Sequence, residues 1–200
     1  MNFDNFIIFD TEYTSWEGSQ KRNWSLDYEH KEIICISALK VNNTNNKLTI
    51  IDKFNYYVKP LINPILSDYI INLTGITQDL IDKEGYHFVD VLEKFYIFCE
   101  DFNIYSYGDD YAELSINMRL NNISIDSKYY TWKSKFYNIR PFFENYNINT
   151  SNYTSGSVYK SLKLNPIENV QIHNSLWDTY SIFITIEYIL LHPINNKSDI

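Results

Sequence analysis

The sequence predicts a single α/β domain in which helices flank a central mixed sheet of five strands. Three observations predict this class. Short apolar runs rich in β-branched residues are interspersed with longer segments of helical periodicity, and glycines and prolines separate them. The chain has 200 residues, of which 44% are hydrophobic and 21% charged, as in ordinary globular proteins. We expect one domain over residues 1–192 and a polar tail at 193–200.

The first three predicted strands form one side of the sheet. Residues 5–10 (NFIIFD) are an apolar run that ends in a carboxylate, which is typical of a central strand buried on both faces. Asp10 is expected at its carboxyl end. Segments 32–41 and 48–58 are rich in β-branched and aromatic residues, and the polar NNTNN between them indicates a hairpin.

The middle of the chain is predicted to be mainly helical. Apolar residues recur at helical spacing in segments that predict helices at 65–73, 77–82, 88–101 and 111–120, with a strand at 103–107. Gly75 is placed to end the first of these helices, and Thr77 is placed to cap the second.

The last third of the chain is predicted to complete the sheet and cover it. The aromatic segment 128–139 is predicted to include the fifth strand, which leads to Asn138, Ile139 and Arg140, and Pro141 is then placed to open a helix. Residues 174–191 predict one long amphipathic helix. Its apolar side is expected to carry Leu176, Tyr180, Phe183, Ile184, Tyr188 and Leu191.

Composition and charge exclude some classes of protein. The net charge of −8 is the wrong sign for a passive nucleic-acid coat protein, although bound divalent metal would reverse the charge that a phosphate meets. The sequence contains no apolar run long enough to span a membrane and no signal-peptide pattern, so we expect no membrane association and a cytosolic location. Cys35 and Cys99 lie in apolar segments and are expected to be buried free thiols.

Acidic and imidazole residues stand where predicted strands end or helices begin. Asp10 and Glu12 are two residues apart, so both side chains leave the same face of an extended segment and can hold one cation. Asp110 follows the strand at 103–107, although Asp109 is an alternative for the same position. His173 and Asp178 flank the start of the C-terminal helix. Taken singly, each also fits an ordinary role as a solvated strand end or a helix cap.

The order and context of these residues resemble a known family over nearly the whole chain. Five segments carry the resemblance: FIIFDTEYTSWEG, INLTGITQDLID, IYSYGDDYAEL, SGSVYKSLKL and IHNSLWDTYSI. Together they resemble the DEDDh (DnaQ-like) 3′ to 5′ exonucleases of the ribonuclease H-like superfamily. The nearest likeness is to the Eri-1-like and KapD-like subgroup.

This resemblance implies a site, a cofactor and a mechanism. The catalytic residues would be Asp10, Glu12, Asp110, His173 and Asp178. The four acids would hold two divalent cations, Mg²⁺ or Mn²⁺, and His173 would be the general base. The products would be nucleoside 5′-monophosphates. The absence of a Cys/His cluster in the sequence argues against zinc.

The substrate expected from the resemblance is the 3′ end of single-stranded nucleic acid, with RNA favoured over DNA. Thr14, Trp16 and Ile76 lie beside the matched motifs and are candidates to contact the terminal nucleotide, although core packing is the alternative for Trp16 and Ile76. A protein partner that delivers nucleic acid to so acidic a chain stays open, as does the oligomeric state. Two other classes stay open as well: a catalytically silent binding module and a structural interaction protein.

Overall fold

The computed structural model of the protein describes Met1, residues 3–163 and residues 173–193. Its strands β1 to β5 are Asn5–Tyr13, Ile33–Thr44, Lys47–Tyr57, Asn103–Ser106 and Phe136–Asn138. Its helices α1 to α7 are Asp68–Thr74, Gln78–Glu84, Phe88–Cys99, Asp110–Leu120, Lys128–Thr131, Arg140–Glu144 and Ser175–Leu191. Three 3₁₀ helices lie at Trp132–Lys135, Thr150–Asn152 and Ser155–Leu162. Of the predicted tail, residues 194–200 lie outside the described part.

The five strands form one sheet in the order β3-β2-β1-β4-β5. β1 and β3 pair antiparallel with β2, whereas β4 pairs parallel with β1 and with β5. The predicted mixed sheet of five strands with flanking helices is therefore confirmed. Asn45 and Asn46 join β2 to β3 with φ of 55° and 64°, a conformation that two-residue hairpin turns require and that asparagine tolerates.

β1 is longer than the predicted strand 5–10, and it extends beyond its neighbour β4. It pairs with β4 only as far as Ile8, which lies opposite Tyr105. It continues beside β2, where Asp10 lies opposite Ser37. Residues 9–13, which we call the β1 overhang, therefore have a neighbouring strand on one side only. Asp10 consequently lies within β1 and not at its end.

The two faces of β1 pack against different helices. Ile7 and Phe9 point into a core that includes Leu92 and Phe95 of α3. Because side chains alternate along a strand, Phe6 and Ile8 point to the other face. There they join a core that contains Ile182, Ile186 and Ile189 of α7. Asp10 and Glu12 continue the α7 face beyond the end of this apolar core.

Local capping sets the bounds of the two short helices before α3. α1 begins at Asp68 and not at the predicted residue 65, because the Ser67 hydroxyl accepts a hydrogen bond from the amide of Ile70 at 3.2 Å. Gly75 ends α1 with a φ of 76°, as predicted. Thr77 caps α2 by accepting a hydrogen bond from the amide of Leu80, also as predicted.

The prediction of a fifth strand within segment 128–139 is confirmed, but the strand occupies only the end of the segment. The segment begins as α5 and the 3₁₀ helix Trp132–Lys135, and only Phe136–Asn138 forms β5. Its aromatic residues favoured a strand by composition. Trp132 instead packs against α3, with its ring 5.5 Å from that of Phe95. Tertiary packing has overridden the local preference here.

The predicted bounds of the C-terminal helix are confirmed, but its predicted apolar side is not the buried one. Leu191, for example, is 54% exposed. The buried residues of α7 are instead Ser175, Asp178, Thr179, Ser181, Ile182, Thr185, Ile186 and Ile189. Because α7 carries apolar residues around most of its circumference, their periodicity does not identify the face that meets the sheet.

Two smaller expectations concern the cysteines and the membrane. Cys35 and Cys99 are free and buried, as predicted. Within the ranges that the structure describes, no helix has both the length and the apolar character needed to cross a membrane.

Candidate active site

A cavity of about 360 Å³ lies beside the β1 overhang, where β4 leaves one edge of β1 without a neighbour. All five residues that the sequence analysis proposes as catalytic line it: Asp10, Glu12, Asp110, His173 and Asp178. They come from β1, from the start of α4 and from the start of α7. The fold thus brings together residues that are up to 168 positions apart in the sequence.

Three of the carboxylates form a tight cluster. Asp10, Glu12 and Asp178 each offer one oxygen, and these oxygens all lie within 4.8 Å of one another. The three residues are buried, with exposures of 7%, 9% and 2%. Oxygen donors at this spacing fit a hard divalent cation such as Mg²⁺ or Mn²⁺.

The surroundings of Asp178 hold its carboxylate in place. Asn174 caps α7 by accepting a hydrogen bond from the amide of Trp177 at 3.2 Å, so Asp178 lies in the first turn of the helix. The Ser155 hydroxyl donates to Asp178 Oδ2 at 2.8 Å. Asp178 Oδ1 is buried and accepts no hydrogen bond of good geometry among the described residues, although the backbone amides of His173 and Gly156 interact with this carboxylate. A buried carboxylate oxygen without a well-formed hydrogen bond is costly unless a ligand satisfies it, which fits a metal ion.

Gly156 allows this approach. A Cβ on Gly156 would lie 2.2 Å from Asp178 Oδ1, which is far inside the contact distance. The indole of Trp177 donates to the Gly156 carbonyl at 3.0 Å and fixes the same peptide from the other side. Glycine is therefore required at this position if Asp178 is to keep its place.

Electrostatic repulsion within the cluster also suits the binding of a cation. Burial raises the pKa of Asp10 well above its usual value, and the charges of Asp178 and Asp110 raise it further. Burial and the same two charges raise the pKa of Glu12. Burial raises the pKa of Asp110 to about 7 and that of Asp178 to about 6. Without a cation the cluster therefore retains protons that solvated carboxyls would lose.

The structure places Asp110, and not its neighbour Asp109, in the cavity. Asp110 is the first residue of α4 and interacts electrostatically with both Asp10 and Glu12. Asp109 is exposed and precedes the helix without a side-chain capping bond. Leu114, one helical turn after Asp110, is 1% exposed and anchors α4 in the core.

His173 lies at the rim of the same cavity, directly before the Asn174 cap of α7. It is half-buried, and burial lowers its pKa, which favours the neutral imidazole. Its φ is 67°, a conformation that non-glycine residues rarely adopt outside functional or turn positions. Residues 164–172, which precede it, lie outside the described part of the chain.

The three residues proposed to contact substrate do not appear among the described residues that line this cavity. The hydroxyl of Thr14 bonds to the backbone of His30 and Glu32, which closes the ends of a loop. Trp16 packs edge to face on Tyr28 at 5.5 Å. Ile76 is 3% exposed and belongs to the core beneath α1 and α2.

The cavity is also lined by side chains that no sequence motif had indicated. Tyr69 and Leu73 of α1, together with Trp24, Tyr107 and Arg140, contribute apolar surface and one guanidinium. Arg140 begins α6, two residues after the end of β5, so the rule that sites form at the carboxyl ends of strands would have found it. Trp24 is half-buried in a loop, where no local sequence pattern distinguishes it from its neighbours.

Comparison with known protein families identifies the family to which the chain belongs. Residues 7–183 match the family described as exonuclease (RNase_T). The chain belongs to this exonuclease family. The resemblance on which the site residues were chosen is thereby confirmed, and the match includes every acidic position of the cluster.

Curated relatives of the exonuclease family agree over part of their length. The 3'-5' exonuclease eri1 of Schizosaccharomyces pombe is 40% identical over 92 residues, which are 46% of this chain and 28% of that protein. The human 3'-5' exoribonuclease 1 is 40% identical over 92 residues, which are 46% of this chain and 24% of that protein. The match thus spans about a quarter of the length of these relatives.

Solved structures extend the similarity to nearly the whole chain. The nuclease domain of 3'hExo, a DEDDh family member bound to rAMP, is 26% identical, with a TM-score of 0.78 over 98% of this chain and 96% of that one. Cell-death related nuclease 4 (CRN-4) shares the fold at 21% identity, with a TM-score of 0.73 over 95% of this chain and 64% of that one.

Proposed function

We propose that this protein is a metal-dependent 3′ to 5′ exonuclease that releases nucleoside 5′-monophosphates from single-stranded ends. The observation that carries the proposal is the cluster of buried carboxylates beside His173 in the cavity of an exonuclease-family fold. We take residues 1–192 as the catalytic domain.

The carboxylates suit two divalent cations, which we propose to be Mg²⁺ or Mn²⁺. Asp10 would contribute to both sites, Glu12 and Asp178 to the site at the attacking water, and Asp110 to the second site, directly or through water. When bound, such ions neutralise the phosphate and stabilise the attacking and leaving oxygens. The carboxylate cluster supports this assignment, because its raised pKa values would be relieved by added positive charge.

His173 is the proposed general base. A base must be unprotonated at the working pH, and burial lowers the pKa of His173 and so favours the neutral ring. One ring nitrogen would take the proton of the attacking water. Asp178, five residues later at the start of α7, would stay ionised and help to hold the imidazolium that forms.

The proposed substrate is single-stranded RNA in preference to DNA. Support comes from the names of the relatives, which include a 3'-5' exoribonuclease, and from the rAMP bound to 3'hExo. The net charge of −8 favours a partner protein that brings nucleic acid to the site. The buried free thiols suit a reducing compartment such as the cytosol.

The first experiment is degradation of 5′-labelled single-stranded RNA and DNA of the same sequence, with Mg²⁺ or Mn²⁺ and with a chelator. We expect stepwise shortening from the 3′ end, loss of activity in chelator and faster release from RNA. Asp10→Asn should lower kcat by at least about 1,000-fold, because a ligand of both cations loses its charge.

The adjacent acids Asp109 and Asp110 supply a matched control. Asp110→Asn should remove most activity, whereas Asp109→Asn changes the same chemistry one residue away, outside the cavity, and should leave activity within about 2-fold. A folded wild type that degrades neither polymer with either metal would contradict the exonuclease proposal and favour a silent binding module.

A further inference from the structure

A second feature of the cavity lies in the loop between β1 and β2, at residues 14–32. The Thr14 amide donates to the Glu32 carbonyl at 2.8 Å, and the Thr14 hydroxyl bonds back to the same stretch of chain, so the loop is closed at its base. Glu29, which is 4% exposed, accepts hydrogen bonds from Ser19 and Arg22 inside the loop. The loop is therefore ordered by its own hydrogen bonds and can hold a side chain in a fixed place.

This loop presents Trp24 to the cavity. Trp24 is half-buried and lines the same space as the carboxylates. Its φ is 49°, and the residue before it, Asn23, also has a positive φ of 54°. Asparagine tolerates this conformation, whereas an aromatic residue is strained in it.

The strain at Trp24 is matched at His173. Among the described residues with positive φ, only these two carry ring side chains, and both line the cavity. Strained residues persist where the surrounding structure fixes them, and they concentrate at functional sites. For His173 the proposed catalytic role accounts for the position, whereas Trp24 has no role yet.

Several contacts fix the indole of Trp24. Its Nε1 donates to the carbonyl of Thr14 at 3.1 Å, and its amide donates to the carbonyl of Ser19 at 2.9 Å. The ring meets Tyr13 at 5.5 Å and 69°, and Lys31 Nζ lies 4.3 Å from its centroid. Lys31 is itself held by Glu113 at 2.6 Å. The indole is thus an ordered aromatic surface beside the carboxylate cluster.

We propose that Trp24 is a stacking subsite for one nucleobase of the bound strand. An aromatic face accepts any base, so the subsite would add affinity without sequence preference. Lys31, fixed by its ion pair with Glu113, lies against the ring and helps to hold the indole in place. This inference rests on the proposed function, because the strand must lie with its 3′ end at the carboxylates.

The test uses substrates that lack single bases. Labelled eight-nucleotide RNAs, each abasic at one of the three 3′-terminal positions, are titrated with the protein in an Asp10→Asn background with Mn²⁺, with and without Trp24→Ala. On the unmodified RNA, Trp24→Ala should weaken binding by about 5- to 150-fold. On the RNA that lacks the stacked base, the same substitution should change binding by less than about 2-fold, since the lost contact is already absent.

Further variants separate stacking from folding. Trp24→Phe keeps a ring and should bind nearly as wild type, whereas Trp24→Leu keeps apolar bulk and should bind as poorly as Trp24→Ala. Tyr28→Ala removes an exposed ring from the same loop that does not line the cavity, and it should leave binding unchanged. In the active enzyme, Trp24→Ala should raise KM with kcat unchanged.

The outcomes distinguish this inference from the proposed function. An equal loss for Trp24→Ala on every abasic RNA, or no loss on any, overturns the stacking subsite even if the wild type digests RNA. A position-specific loss supports the subsite even if no hydrolysis occurs, in which case only the exonuclease proposal fails. A wild type that binds no single strand overturns both.

Discussion

Helices α3 and α7 cover opposite faces of the same strand, but they do so with different side chains. α3 packs on β1 with large apolar groups, among them Leu92 and Phe95. α7 meets the other face with isoleucines interspersed with small hydroxyl residues, among them Ser175, Thr179 and Thr185. The first face is an ordinary core, and the second carries Asp178 to the carboxylates of β1.

The difference reflects what each helix has to hold in place. The hydroxyl of Ser175 lies 2.7 Å from that of Ser37 on β2, a contact that larger side chains would prevent. Thr179 and Thr185 satisfy their hydroxyls on carbonyls of their own helix, so their burial leaves no donor unpaired. Small residues on α7 therefore bring Asp178 close to β1 without leaving the hydroxyls of Thr179 and Thr185 unpaired.

The largest expected effect is on the α3 face. Phe95→Ala should lower the free energy of unfolding by about 3–5 kcal/mol, because it leaves a cavity among Phe9, Phe54 and Trp132. Urea denaturation measures this loss. Affinity of the folded protein for Mn²⁺ should stay within about 2-fold. A large loss of metal affinity would show that the two faces are not independent.

The next effect is on the α7 face, where Gly156→Ala should reduce kcat/KM by about 100-fold, because the new methyl group displaces the Asp178 carboxylate. Steady-state kinetics and Mn²⁺ calorimetry both measure the change. Ser155→Ala is the matched control, since it removes one hydrogen bond to Asp178 without a clash, and it should cost no more than about 10-fold. Equal effects of the two substitutions would contradict the close-approach argument.

The two faces of β1 should also contribute differently to the pH dependence of stability. The carboxyls at the α7 face have pKa values raised above the usual 3.8, to about 7 for Asp110 and about 6 for Asp178. Between the usual and the raised pKa values the folded state holds more protons than the unfolded state, so metal-free stability should fall as pH rises from about 4 to about 8.

Thermal unfolding with and without divalent cation tests this pH dependence. Added Mn²⁺ should restore the stability lost above pH 7, because it binds the ionised carboxylates. Asp10→Asn should make the metal-free protein less dependent on pH, because one of the mutually repelling charges is removed. Stability that rises with pH in the absence of metal would show that the cluster is not protonated.

The smallest expected effect separates the role of the Thr185 hydroxyl from that of its small volume in stabilising α7. Thr185→Val should change stability by no more than about 1 kcal/mol, since the Ser181 carbonyl that Thr185 contacts retains its helix hydrogen bond. Thr185→Leu should cost roughly 1–3 kcal/mol by overpacking. If valine and leucine cost the same, the hydroxyl and not the small volume is what this face requires.

The same contrast explains what the sequence could predict. α3 has a clear apolar stripe, and its buried face follows from periodicity. The bounds of α7 could be predicted from the Asn174 cap, but its buried face could not, because the packing surface is defined by small residues that no hydropathy pattern selects. Trp132 shows the limit at the other side of the sheet, where an aromatic side chain typical of strands packs from a 3₁₀ helix.

For the candidate site, motif order identified the acids that lie on a strand or at the start of a helix. Asp10, Glu12, Asp110 and Asp178 are in this group, and all line the cavity. Trp24 escaped because its position depends on a loop closed by contacts between Thr14 and Glu32. Thr14, Trp16 and Ile76 were chosen because they lie near a motif in the sequence, and they do not line the cavity.

The alternation of side chains along β1 ties the position of its two carboxylates to the packing of the core. Asp10 and Glu12 share a face with Phe6 and Ile8, and their register against β2 is unbroken as far as Glu12. A slip of one residue would turn both carboxylates toward the α3 face and would exchange Phe6 and Ile8 with Ile7 and Phe9 between two cores that are packed for other side chains. The packing of Phe6 and Ile8 therefore fixes the face of β1 on which Asp10 and Glu12 lie. Any sequence change that keeps the core in register also keeps both carboxylates on the side of the cavity.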